Sequence, residues 1–430
     1  YSAALALFLA TTDATIVSTS LPTISATFSA TQTDYTWVGV AYMLTQTACQ
    51  PLYGRLSDLI GRKTVLFASI LVFAVGALLC GAARNITWLI IARGLSGAGG
   101  GGIVSCVWVI TSEIVETERR AKWSQALSVT WSCSAVAGPL FGGLFSATSQ
   151  ASFLNWRWAF YLNLPVCAVA SVVLALSLHG TEQEHSEDVS WSKFMNKFDF
   201  LGLLSFITGS SCIIVGFSFA ASVGWVAAST LTLIVLGTVI LVCAGIYETR
   251  TTREALFPPI AFKSVNVVLI LFINFLHNFA FTSGTFYLAR FYQVCPALYL
   301  VSGTRTILES SLMLLPYSLG SSLASMPAAW IIDYFQTKTK GLAGQRIIIA
   351  SGLVVATTGF GLLELLHQGR SALYQAIIPL VAGIGLGMLF HAPYQVFAHT
   401  LPSELLATGT SAFFLVRFTG ATVGLVRHLE

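Results

Sequence analysis

The chain has 430 residues, of which 55% are apolar and only 9% charged, with a net charge of +4 and a mean hydropathy of +0.77. Water-soluble domains carry about 25% charged residues, so a soluble globular protein is excluded. The lack of a basic cluster argues equally against nucleic-acid binding.

In chain order, thirteen apolar runs have the length of about 20 residues that crosses a bilayer as a helix: 3–24, 36–55, 64–83, 88–111, 123–146, 157–178, 198–219, 226–247, 264–289, 306–331, 346–366, 372–398 and 405–427. The expected class is therefore an all-α polytopic membrane protein. The chain opens inside the first run at Tyr1 with no basic n-region, and so reads as trimmed at its start rather than as carrying a signal peptide. Eight cysteines (Cys49, Cys80, Cys106, Cys133, Cys167, Cys212, Cys243, Cys295) are scattered through the chain. Their spacing suits neither a disulfide framework nor a metal site, and they read as small packing residues.

Loop charge sets the orientation. If the loop after the second run is cytoplasmic, that side holds fourteen lysines and arginines, among them Arg55, Arg62, Lys63, Arg119, Arg120 and Lys122. The other side holds five: Arg84, Arg157, Arg290, Arg305 and Arg370. The longest hydrophilic stretch, 179–197, is then a cytoplasmic loop between a six-helix half, 1–178, and the remainder.

The turn between the second and third runs reads Gly54-Arg55-Leu56-Ser57-Asp58-Leu59-Ile60-Gly61-Arg62-Lys63. So tight a turn needs a residue that tolerates positive φ, hence Gly61. Asp58 is placed to accept hydrogen bonds from a helix N-terminus or to pair with an arginine. Such a clamp holds one conformation and breaks in the other.

This segment resembles the signature of the major facilitator superfamily between its second and third helices. Asp13-Ala14-Thr15-Ile16-Val17 with Leu21-Pro22 resembles the first-helix motif of the fourteen-span drug:proton antiporters. Arg93-Gly94 with Gly97, Gly99, Gly100 and Gly101 resembles their fourth-helix motif, and Ser134 through Gly138-Pro139, Gly142 and Gly143 their fifth-helix antiporter motif, with Ser134 in place of a glycine. Asn155-Trp156-Arg157-Trp158 through Asn163-Leu164-Pro165 is similar to the start of the sixth helix in that group. The resemblance implies a major facilitator fold: an N-terminal bundle over 1–178, a linker hairpin over 198–247 and a C-terminal bundle over 264–430. It also implies a fourteenth span beyond Glu430, so that the sequence reads either as cut off at its C-terminus or as a truncated product.

Asp13 lies in mid-span, where a carboxylate usually faces a cavity or a partner. It suits a group that binds and releases a proton, or alternatively one satisfied by the hydroxyls of Thr11, Thr12 and Thr15. Arg93 pairs with a carboxylate or substrate, or forms a structural ion pair. The glycines from Gly97 to Gly102 allow another helix to approach closely. Gly138-Pro139, with Gly142 and Gly143, breaks the helical ladder and is expected to offer a kinked face to the opposite bundle. Substrate-cavity candidates in the second half are Asn274, His277, Asn278, Tyr317, His391, Tyr394, Gln395 and Arg417, with abundant Phe for an apolar wall.

The expected function is secondary active export of small, mostly hydrophobic organic compounds such as drugs, toxins or secondary metabolites, in exchange for protons. An uptake carrier, for example for siderophore-iron complexes, is the alternative. No cofactor or metal is expected, the proton gradient being the energy source. The expected setting is a monomer in the plasma membrane, with a vacuolar or vesicular membrane as the alternative. No catalytic residues are expected, since His179, His185, His367 and His428 stand isolated and no nucleophile motif occurs.

Overall fold

Inside a bilayer each backbone N–H and C=O must find its partner within the protein, and a helix achieves this within one segment. The computed structural model describes residues 2–114, 120–147, 155–177, 198–251, 253, 264–294, 307–339, 341–366, 371–401 and 406–427. Among these no β-strand occurs. The helices are α1 (Ser2–Phe28), α2 (Gln32–Ile60), α3 (Arg62–Gly81), α4 (Ile86–Ile114), α5 (Arg120–Ala147), α6 (Trp158–Tyr161), α7 (Asn163–Ser177), α8 (Phe200–Val223), α9 (Ala228–Glu248), α10 (Val265–Val294), α11 (Ile307–Thr339), α12 (Ala343–Leu363), α13 (Ala372–Leu389), α14 (Ala392–His399) and α15 (Leu406–Arg427). They coincide with the thirteen apolar runs, the sixth being split into α6 and α7 and the twelfth into α13 and α14. Stretch 179–197 lies outside the described residues.

Nine stretches among the described residues are long and apolar enough to cross a membrane. The other helices of span length, α2, α5, α11 and α15, are less apolar, and these same four join the two halves of the chain. α2 packs on α15 and α5 packs on α11. α2 and α15 touch towards both ends, where Gly54 meets Ser411 and Gly39 meets Leu425. Within the first half α4 is gripped by α2 and α3, and α1 packs on α5; in the second half α13 packs on α11 and α12, and α10 on α15.

The glycine run of α4 explains its grip. A side chain at Gly97 or Gly101 would collide with the α2 backbone at Tyr42 and Gln46, and one at Gly99 with the α3 backbone at Phe73. Backbone-to-backbone approach on both sides is the small-residue packing that substitutes for a hydrophobic driving force in lipid. Gly61 has φ +90° and forms the whole turn between α2 and α3.

α8 and α9 form a hairpin that lies on the seam between the halves, with α8 against α2 and α15. Phe198 and Leu203 pack on Ala412 and Leu415, with Leu52 beside them. The buried Asp199 carboxylate caps α8 by accepting from the Gly202 amide (2.9 Å) and accepts from Tyr247 Oη (3.2 Å), which ties the two ends of the hairpin.

α5 departs from expectation. Gly138 and Gly142 do not face the opposite half; they lie against Thr15, Ile16 and Thr19 of α1. Thr19 Oγ1 donates to the Pro139 carbonyl (3.1 Å), Ser20 Oγ to that of Gly142 (3.3 Å), and Thr15 Oγ1 to that of Ser134 (3.2 Å). The glycines clear room for an α1 that spends its hydroxyls on α5 carbonyls, including those beside the proline-broken ladder.

Candidate transport site

In the first half, Arg93 Nη1 of α4 donates to Asp13 Oδ2 of α1 at 2.5 Å, with both side chains buried. Asn163 Nδ2, on the first residue of α7, donates to the other carboxylate oxygen at 2.8 Å. Arg93 Nε donates to the Val38 carbonyl of α2 (3.2 Å), and the guanidinium lies over the Tyr42 ring at 4.2 Å. Tyr42 Oη in turn donates to the Ala10 carbonyl of α1 (2.8 Å). One acid and one base thus close a circuit through α1, α2, α4 and α7.

The threonines take no part in it. Thr11 Oγ1 donates to the Leu7 carbonyl (2.8 Å) and to Ser134 Oγ (2.6 Å), and Thr15 Oγ1 bonds back along α1 and to α5. The alternative in which Asp13 is satisfied by Thr11, Thr12 and Thr15 is therefore replaced by an ion pair: Thr11 and Thr15 are engaged elsewhere, Thr12 Oγ1 makes no hydrogen bond among the described residues, and a carboxylate buried in low dielectric gains far more from a guanidinium than from a hydroxyl. Asn163 was not among the candidates, although it stands in the motif that opens the sixth span.

In the second half, Arg417 of α15 is 2% exposed. Its Nε donates to Asn278 Oδ1 of α10 (3.1 Å), and its guanidinium lies over Trp131 of α5 (4.7 Å), Phe390 (5.0 Å) and Phe414 (5.7 Å). The orientation of Asn278 follows from a relay. The Leu386 carbonyl can only accept, so His277 Nε2, 2.9 Å away, carries the hydrogen. His277 Nδ1 then accepts from Asn278 Nδ2 (3.2 Å), which leaves the amide oxygen for Arg417.

Between the two networks lies a small cavity. It is lined by Thr11, Ala14 and Thr15 of α1, Met43 and Gln46 of α2, Trp131 of α5, Asn278, Phe281, Thr282, Thr285 and Phe286 of α10, and Phe418 and Ala421 of α15. Both halves contribute, as alternating access between two bundles requires. Of the second-half candidates, Asn278 lines it and Arg417 stands behind Asn278 and Trp131. Asn274 Nδ2 donates to the Phe413 carbonyl (3.0 Å), Tyr317 Oη to that of Phe281 (3.1 Å), and Tyr394 Oη meets Thr410 Oγ1 (3.1 Å). Gln395 Oε1 accepts from Gln345 (3.3 Å), and His391 is buried where α14 begins. These side chains tie helices together. Gln46 and Gln50, buried one turn apart on α2, were missed; their spacing in mid-span was the available signal.

At the turn between α2 and α3, Arg62 Nη1 donates to Ser57 Oγ (2.6 Å) and Lys63 stands in the first turn of α3. Asp58 belongs to α2, and its side chain lies outside the described residues. Gly143 is buried in α5.

Residues 3–425 match the family model described as Major Facilitator Superfamily. The chain belongs to this superfamily. An uncharacterised MFS-type transporter of Schizosaccharomyces pombe is 32% identical over 427 residues, covering 98% of this chain and 67% of the relative. Efflux pump dotC of Dothistroma septosporum is 30% identical, covering 98% and 68%. The crystal structure of the human organic anion transporter MFSD10 superposes with a TM-score of 0.65 at 14% identity, covering all of this chain and 92% of that one; at such identity the likeness concerns the fold alone. As a facilitator-superfamily member the chain is an integral membrane transporter of small molecules rather than an enzyme.

Proposed function

We propose that this transporter exports small, largely apolar organic compounds in exchange for protons by alternating access. The observation that carries the reading is the buried Asp13–Arg93 pair, one residue from the Ala14 wall of the cavity. Protonation of Asp13 from outside removes the charge that holds Arg93 and loosens α1 from α4 and α7. Release of the proton inside restores the pair. Substrate leaves on the opposite stroke. A cavity walled largely by Phe, Met, Trp and Thr suits apolar cargo. Relatives named as efflux pumps favour the outward direction. Because helices of a single chain build the cavity, the working unit is a monomer, and its place is the plasma membrane, where export reaches the outside.

The experiment is accumulation of fluorescent hydrophobic compounds by inverted vesicles containing the protein. An acid-inside gradient is expected to drive uptake several-fold above the level left after the gradient is collapsed with a protonophore. Equal accumulation with and without the gradient rules out proton exchange.

A further inference from the structure

Two arginines are buried at the heart of this molecule, and they are provided for differently. Arg93 has the Asp13 carboxylate, the Val38 carbonyl and the Tyr42 ring. Arg417 has the Asn278 amide oxygen and three aromatic faces, and among the described residues no carboxylate pairs with it. Its Nη2 is buried without a hydrogen-bond partner. A guanidinium keeps its charge at any physiological pH. Rings and one amide offset only part of the cost of taking that charge out of water. A buried Nη2 with no acceptor of its own is a donor suited to an anionic oxygen.

The location agrees. Asn278 and Trp131 touch the guanidinium and line the cavity, as does the next residue, Phe418, which stacks on Trp131 (5.8 Å between centroids). The relay from the Leu386 carbonyl through His277 holds the Asn278 oxygen on Nε, so the guanidinium is fixed by one edge.

We propose that the transported compounds are organic acids, whose carboxylate or comparably acidic oxygen pairs with Arg417 while their apolar body occupies the aromatic cavity. The proposal rests on that cavity being the transport site. Trp131 comes from α5 and Arg417 from α15, so an anion that takes the guanidinium from the ring acts on a contact between the two halves. Outward movement of an anion against an inward proton carries net positive charge inwards, which makes the exchange responsive to membrane potential.

The test is equilibrium binding to the purified full-length chain in detergent, with 1-pyrenebutyrate and its neutral methyl ester as fluorescent probes. The acid is expected to bind about tenfold more tightly than the ester, the scale of one charge-assisted hydrogen bond. Arg417→Gln is expected to abolish the preference, the acid then binding no more tightly than the ester, and Arg417→Lys to restore part of it. Equal binding of acid and ester to the unaltered protein, no binding of the acid, or an acid preference that survives Arg417→Gln overturns the proposal. The comparison on the unaltered protein holds even if the variants misfold. Binding needs neither gradient nor direction, so failure of proton exchange leaves this result standing, and exchange without acid preference refutes this inference alone.

Discussion

Asp13 and Arg93 were each legible from the sequence as costly charges in mid-span, but their pairing was not. They stand 80 residues apart, and no local pattern says which of several helices will face which. The pair makes a specific prediction about stability. Arg93→Met leaves a buried carboxylate without its cation, a loss of about 3–5 kcal/mol. Adding Asp13→Asn removes the stranded charge, and the double variant is expected to recover most of the melting temperature in detergent. A double variant as unstable as Arg93→Met alone would mean that the two side chains do not depend on each other. The second-half candidates show the opposite difficulty. Asn274, Tyr317 and Tyr394 read as cavity residues because they are polar in apolar spans, yet a polar side chain within a bundle is as well served by a neighbouring helix's carbonyl or hydroxyl as by a substrate. Arg417 differs because no such local partner completes it.

At the scale of elements, the spans were almost wholly legible, since twenty apolar residues in succession have one regular solution in lipid. Helix-to-helix contacts were legible where glycines cluster. The Gly97–Gly102 run does admit close neighbours, though two helices share it rather than one. Gly138 and Gly142 were assigned the wrong neighbour, because a small-residue face records that something approaches without recording what. Gly99→Val is expected to destabilise by about 1–3 kcal/mol or more, because the added side chain meets the α3 backbone at Phe73. Gly94→Ala is the control, since a Cβ there comes no nearer than 3.6 Å to Thr45 Cγ2. Thermal melts of the two purified variants check this, and equal melting temperatures would contradict the packing described.

At the scale of the whole molecule, the polarity of the helices reports on the mechanism. The four span-length helices that fall short of membrane apolarity, α2, α5, α11 and α15, carry the main packing between the halves. They carry the buried Gln46, Gln50, Trp131 and Arg417, and α2, α5 and α15 bring Gln46, Trp131 and Phe418 to the cavity wall. Surfaces of that kind can part and close without exposing charge to hydrocarbon. The Asp13–Arg93 pair and its partners Asn163, Val38 and Tyr42 all lie within the first half. The most direct measurement compares gradient-driven accumulation with gradient-free exchange in vesicles carrying the Asp13→Asn protein. The account predicts that this variant still equilibrates labelled compound across the membrane at a substantial rate while losing at least about nine-tenths of its acid-driven accumulation, as expected when one protonatable group couples the two fluxes. Asp13→Asn vesicles that concentrate compound against its gradient as well as the unaltered protein does would contradict it.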